Sequence, residues 1–256
     1  MGAGHGHPIH RAGDTAVHRL PPQCKLAAAA GFVVVVVATP RELFWAFAAY
    51  LALLAGVAAA ARVPAGFALR RMAIEVPFVV FAVALPFIGT GPRVQVAGLA
   101  LSAEGLWAGW NILAKATLGV LTSVLLAATT PPRDILLGAR LLRLPAPLVQ
   151  IAMFMLRYLD VIAGEMRRMR VARESRGFTA RDVRHVPAVA RSAGALFIRS
   201  YERGERVYLA MLSRGYTGTM PITGDLTATG GQWALAALLP GPALTVLLAV
   251  LLAGVL

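Results

Sequence analysis

Two arginines, at positions 176 and 214, are the residues whose setting most suggests chemistry. Arg176 lies in Ser175-Arg176-Gly177-Phe178-Thr179 and Arg214 in Ser213-Arg214-Gly215-Tyr216-Thr217. A guanidinium presents a planar fork of N–H donors that grips a carboxylate bidentately. Two such groups held beyond rigid helix ends suit a two-point contact with an acidic partner. A simpler reading covers part of the pattern: glycine ends a helix cheaply, and a terminal arginine suits the negative end of the helix dipole. It leaves unexplained why Ser, Arg, Gly, an aromatic and Thr recur in that order.

Other constellations are weaker. No Gly-x-x-x-x-Gly-Lys-Ser/Thr loop occurs, nor His-Glu-x-x-His, nor Gly-x-Ser-x-Gly. The chain is therefore expected to be no enzyme, with no catalytic residue, no cofactor and any ATP hydrolysis left to a partner. His5, His7 and His10 could hold a transition metal loosely, but the surrounding glycine and proline suggest a mobile tail, and no metal ligand is assigned. The single cysteine, Cys24, excludes an internal disulfide framework. Lys115 sits within an apolar stretch, where facing lipid would cost roughly 2.5–3.5 kcal/mol, so it should face protein, pointing inward to a partner such as Glu75 or snorkelling if the helix is shifted. Asn111, Lys115 and Thr122 share a helical face, and an autonomous channel or carrier built around that polar face is the alternative. Such a relay normally shows several intramembrane acids.

The elements that must position these residues belong to a bilayer. The 256 residues are 58% hydrophobic and 14% charged, with mean hydropathy +0.68, outside the usual range of water-soluble domains. The formal net charge is +13, and 16 of the 25 Lys and Arg fall between Arg133 and Arg214 beside only seven acids. An excess on retained loops accounts for that concentration, and nucleic acid is not expected as a partner.

Five apolar segments read as helices: 26–39, 43–61, 76–91, 105–128 and 233–256. The first is short for a span, the second adequate, and Pro40-Arg41-Glu42 joins them in a tight hairpin. Pro77 and Pro86 should kink or interrupt the third, and Pro240 with Pro242 should bend the fifth or delay its start. Gly105 and Gly109 permit close helix packing. Arg11, Arg19, Lys25, Arg62, Arg70, Arg71 and the 133–214 block fall on one side, with Arg41 and Arg93 on the other. The N-terminus is then inside and the C-terminus outside. The expected organisation is a cytoplasmic tail (1–25), a four-segment membrane region (26–130), a cytoplasmic helical region (131–228) and a last transmembrane helix (229–256).

Within 131–228, a short helix is expected from Asp134 to Leu142, started by Pro131 and Pro132 and stopped by Pro145 and Pro147. Long helices follow over 148–176 and, after a loop containing Pro187, over 189–214. Leu148, Ile151, Met155, Tyr158, Ile162, Met166 and Met169 form one stripe. Phe197, Tyr201, Gly204, Tyr208 and Met211 form another. Neither helix reads as apolar enough to span, so both should lie on the membrane surface or on a partner. Met153, Met155, Met166, Met169 and Met211 suit a sliding contact, and equally suit core packing.

The paired Ser-Arg-Gly endings, on amphipathic helices in a chain of about five membrane segments, resemble the Ala-Arg-Gly-type signatures of T components of energy-coupling-factor transporters. Met155 to Asp160, Arg167 to Phe178, Phe197 to Arg203, Met211 to Tyr216 and the opening Val17 to Leu26 resemble the cobalt-type CbiQ family in particular. The likeness covers roughly 14–221, departing from it at Ser175 and Ser213, where alanine is usual. It implies an all-α integral membrane protein of about five transmembrane helices plus two long amphipathic cytoplasmic coupling helices. Ser175, Arg176, Gly177, Ser213, Arg214 and Gly215 would seat in two ABC ATPase subunits (CbiO-like). Met155, Tyr158, Met166, Met169, Phe197, Tyr201, Tyr208 and Met211 would contact a substrate-binding membrane subunit (CbiM-like), with a small accessory membrane subunit (CbiN-like) as a further partner. The cargo would be cobalt or nickel and the site the bacterial cytoplasmic membrane.

Overall fold

The computed structural model describes residues 11, 13–90, 92–96, 99–178, 186–220 and 227–252, in two compact units: 1–142 with 226–256, and 143–225. In the first unit, α1 (Ala16–Arg19) is capped by the Thr15 hydroxyl, which accepts from the His18 amide. Helix α2 (Pro22–Ala38) starts at a proline, whose missing N–H is no loss in a first turn. It thus begins four residues before the apolar run and buries Gln23, Cys24 and Lys25. Helix α3 (Phe44–Ala60) follows. Each has 17 residues, roughly 25 Å of rise against a hydrocarbon core of about 30 Å. For α3 this is shorter than the sequence suggested, because Leu43 and Ala61 serve as caps.

The third segment is longer than expected. Helix α4 (Ala65–Arg71), a 3-10 turn (Met72–Glu75) and α5 (Val76–Ile88) run on as one apolar stretch of 24 residues. Pro77 cannot donate to the carbonyl four residues back, and the backbone there tightens into 3-10 geometry instead of interrupting the helix. A two-stranded antiparallel hairpin, β1 (Arg93–Val96) and β2 (Leu99–Ser102), then pairs Arg93 with Ser102. Ser102 caps α6 (Ala103–Thr129), accepting the Gly105 amide at 3.2 Å and donating to Thr90 O at 3.0 Å. A Cβ on Gly105 would stand 2.5 Å from Leu85 O, and one on Gly109 2.7 Å from Ala82 O, so α5 and α6 meet through these glycines. Pro86 supplies no amide to Ala82 O, which leaves that carbonyl turned to α6.

Helices α10 (Gly230–Ala237) and α11 (Pro240–Leu252) meet at 52°, the bend that Pro240 and Pro242 led one to expect. The core centres on Tyr50, fully buried, edge-on to Phe32 and Phe47, with its hydroxyl placed on Thr39 Oγ1 and Ala243 O. Helix α7 (Pro132–Leu141) packs so closely on the start of α2 that a Cβ on Gly138 would lie 2.8 Å from the Pro22 carbonyl carbon. It belongs to the first compact unit, whose N-terminal part runs to Leu142.

The second unit is a pair of long helices, α8 (Ala146–Glu174) and α9 (Val186–Leu212). Pro145 and Pro147 start α8 instead of stopping α7, and Pro187 sits in the first turn of α9 instead of a loop. Contrary to the sequence reading, α8 is long and apolar enough to cross a membrane, as are the 65–88 stretch and α6; the bent α10–α11 pair makes up to four among the described residues. Five charged residues of α8, Arg167, Arg168, Arg170, Arg173 and Glu174, crowd into its last turns, leaving only Arg157 and Asp160 between 146 and 163. The pair is antiparallel. Gln150 Nε2 donates to the Tyr216 hydroxyl, and Glu165 accepts from Arg199 Nη1 at 3.4 Å and Arg203 Nη2 at 3.2 Å.

Candidate functional site

The two Ser-Arg-Gly endings fold identically, bond for bond. At the first, Gly177 has φ +76°, its amide donates to Glu174 O at 3.0 Å and the Phe178 amide donates to Arg173 O at 3.1 Å. At the second, Gly215 has φ +80°, its amide donates to Leu212 O at 3.0 Å and the Tyr216 amide donates to Met211 O at 3.1 Å. These are Schellman motifs, in which a left-handed glycine lets the two following-turn amides satisfy the last carbonyls. The serines match too: Ser175 Oγ donates to Ala172 O at 3.1 Å and Ser213 Oγ to Ala210 O at 3.0 Å. That bond gives each serine a physical role, since each hydroxyl satisfies one more terminal carbonyl. Thr179 lies outside the described residues.

Arg176 and Arg214 occupy the position before each glycine, exposed, and neither makes an ion pair among the described residues. Because the helices are antiparallel, the two tips stand at opposite ends of the pair. Gln150 touches the residue two beyond Arg214, and 26 residues of α8 at 1.5 Å each put Arg176 roughly 40 Å away. Two cationic forks are thus presented far apart on one helix pair, a geometry for two separate acidic sockets.

The candidate partner-contact residues divide. Met155, Phe197, Tyr201 and Tyr208 are exposed, at 68%, 71%, 68% and 51%, whereas Tyr158, Met166, Met169 and Met211 are half-buried. Helix α9 is least exposed along Leu196, Ser200, Arg203, Val207 and Met211, the line that carries Arg203 to Glu165. The aromatic stripe lies one position round and is left open. Glu165, with a side chain only 14% exposed, is the residue sequence reasoning passed over; the signal was a lone acid opposite Arg199 and Arg203 at i and i+4.

Lys115 does not pair with Glu75. Its Nζ donates to Val37 O at 2.8 Å, near the C-terminal end of α2, while Thr117 Oγ1 donates to Glu75 at 2.5 Å. Lys25, at the start of α2, reciprocates by donating to Thr129 O at 3.0 Å at the end of α6. Each of the two helices supplies a cation to the negative end of the other. Thr122 Oγ1 is tied to Leu118 O at 2.7 Å. His5, His7 and His10 lie outside the described residues, and among the described residues no three metal-ligating side chains gather.

A family model described as "Cobalt transport protein" (CbiQ) matches residues 13–223. The Rhodobacter capsulatus cobalt transport protein CbiQ is 29% identical over 206 residues, 80% of each chain. The Bacillus selenitireducens energy-coupling factor transporter transmembrane protein EcfT is 29% identical over 220 residues, 80% of this chain and 81% of that one. A Methanocorpusculum labreanum protein described as a putative fused cobalt transport protein CbiMQ is 28% identical over 111 residues, 43% of this chain and 18% of that one. Since the matched region takes in α1 to α9 and both Ser-Arg-Gly endings, the chain belongs to the CbiQ family, the transmembrane components of energy-coupling factor transporters.

Proposed function

We propose that the chain is the non-catalytic scaffold of an ATP-driven cobalt or nickel uptake transporter, passing the motion of two ABC ATPase subunits to a substrate-binding membrane subunit. The observation that carries the reading is the duplicated helix ending: two superimposable Schellman ends, each aiming an exposed arginine outward, at opposite ends of one antiparallel rod pair. A helix end alone needs neither the serine bond nor the arginine twice over; a scaffold that grips two copies of one ATPase needs both. Arg176 and Arg214 pair with carboxylates on the ATPases, with Ser175, Gly177, Ser213 and Gly215 holding their aim.

The open stripe of Phe197, Tyr201 and Tyr208, with Met155 on α8, receives the substrate-binding subunit; aromatic anchors of this kind dominate interface energetics. The relative whose name joins M and Q in one chain favours a CbiM-like partner, and a small CbiN-like subunit fits the same assembly. The ATPases lie on the cytoplasmic side, where the arginine-rich 133–214 block also lies, with the N-terminus inside and the C-terminus outside. The metal is cargo selected elsewhere.

Substituting Arg176→Glu together with Arg214→Glu should leave the protein inserted but abolish co-purification with an ATPase pair, while Arg191→Gln changes little. Full co-purification by the double variant sinks the coupling role.

A further inference from the structure

Within the membrane unit, an apolar groove of about 740 Å³ runs between α2, α3, α6 and the α10–α11 pair, lined by residues such as Ala29, Ala52, Leu53, Leu126 and Val246. A second pocket of about 260 Å³ adjoins it. The two share Leu20, Lys25 and Thr129, so the apolar groove opens at one end into a polar chamber completed by Thr130 and Asp134.

The polar chamber has unspent hydrogen-bonding capacity. Lys25, 8% exposed, donates to His18 O at 3.1 Å and to Thr129 O at 3.0 Å, which uses two of its three ammonium protons. Thr130 is 2% exposed, and its hydroxyl has no partner among the described residues. A buried hydroxyl of that kind calls for a ligand. Asp134, in the first turn of α7, adds a carboxylate to the same wall. Asp14 is already held by Arg19 through two bonds of 2.6 and 2.7 Å and so adds no net charge nearby.

We infer that this paired cavity seats one zwitterionic aminophospholipid: an acyl chain in the groove, its phosphate on Lys25 and Thr130, its ammonium on Asp134. Lys25 and Asp134 on the chamber wall, with the His18 imidazole beside them, complement a headgroup that carries both signs, where an anionic headgroup would leave Asp134 facing like charge. Bilayer hydrocarbon is already out of water, so the groove gives no hydrophobic drive of its own and selection falls to the polar end.

The test takes the full-length chain reconstituted in nanodiscs of equal phosphatidylethanolamine and phosphatidylglycerol, released and weighed by native mass spectrometry. Wild type should retain one phospholipid, with phosphatidylethanolamine favoured about fivefold, the preference one partly desolvated ion pair supports. Asp134 makes no ion pair within 4 Å and no side-chain hydrogen bond among the described residues, though its charge is felt at Lys25, so Asp134→Asn should fold and bring the ratio near unity. Ala52→Trp, which blocks the groove and leaves the chamber intact, should strip the lipid. Equal retention of both lipids by wild type, an unchanged ratio in Asp134→Asn, or lipid-free protein whose position 52 cross-links to a partner membrane subunit would each overturn the proposal.

Discussion

Replacing Gly177 by alanine isolates what the left-handed helix end contributes. A Cβ built on Gly177 meets nothing within 4 Å, so the substitution brings no clash and its cost lies in the backbone alone. Holding an L-residue at φ +76° costs roughly 1–2 kcal/mol, a factor of about 5 to 30 in the local equilibrium. The Phe178 amide reports that equilibrium directly, because it donates to Arg173 O at 3.1 Å and is released when the motif opens. Hydrogen exchange at Phe178 should therefore accelerate about 5- to 30-fold in Gly177→Ala. The equivalent amide at Tyr216 should stay unchanged. Asparagine tolerates the left-handed region, so Gly177→Asn should recover most of the protection. Identical exchange in wild type, alanine and asparagine variants would refute the claim that the glycine geometry fixes this end.

Three further outcomes follow from contacts elsewhere. Gly105→Val drives a side chain into Leu85 O and should cost about 1–3 kcal/mol in a thermal melt, whereas Gly119→Ala, with open space around it, should be neutral or stabilising. Glu165→Gln weakens both arginine contacts across α8 and α9; their exposure limits the loss to about 1 kcal/mol, but amide exchange in α9 should rise and uptake per ATP hydrolysed should fall. Lys115→Met removes one donor from Val37 O and should cost about 0.5–1.5 kcal/mol while uptake continues; an inserted, stable variant that no longer supports uptake would revive an ion path through that face.

Much of this architecture was legible because its signals are periodic or terminal. The apolar runs locate α2, α3, α5, α6 and the bent last pair, and the glycines of the Ser-Arg-Gly endings locate the ends of α8 and α9 within about two residues. Prolines were read less well: Pro147 and Pro187 look like breakers in sequence, but proline suits a first helical turn, so each opens a helix. The β1–β2 hairpin escaped notice because four-residue strands between two spans leave too short a pattern to distinguish from an apolar loop. Lys115 was correctly expected to face protein, but its acceptor is a backbone carbonyl, which no side-chain pattern reveals. The stripe through Phe197, Tyr201 and Tyr208 was visible, yet periodicity alone could not say whether α8 or an outside partner covers it; the neighbouring line through Leu196 and Arg203 turns out to be the less exposed one.

The scaffold reading is tested most directly by asking whether the two arginine tips touch two different ATPase copies at once. Arg176→Cys and Arg214→Cys can be combined in one chain, since the native Cys24 is fully buried and should not compete for a cross-linker. In the assembled transporter, a short bifunctional reagent should yield one product carrying two ATPase subunits per chain. Cross-links from either position only to this chain's own helices, or both positions to a single ATPase copy, would contradict it.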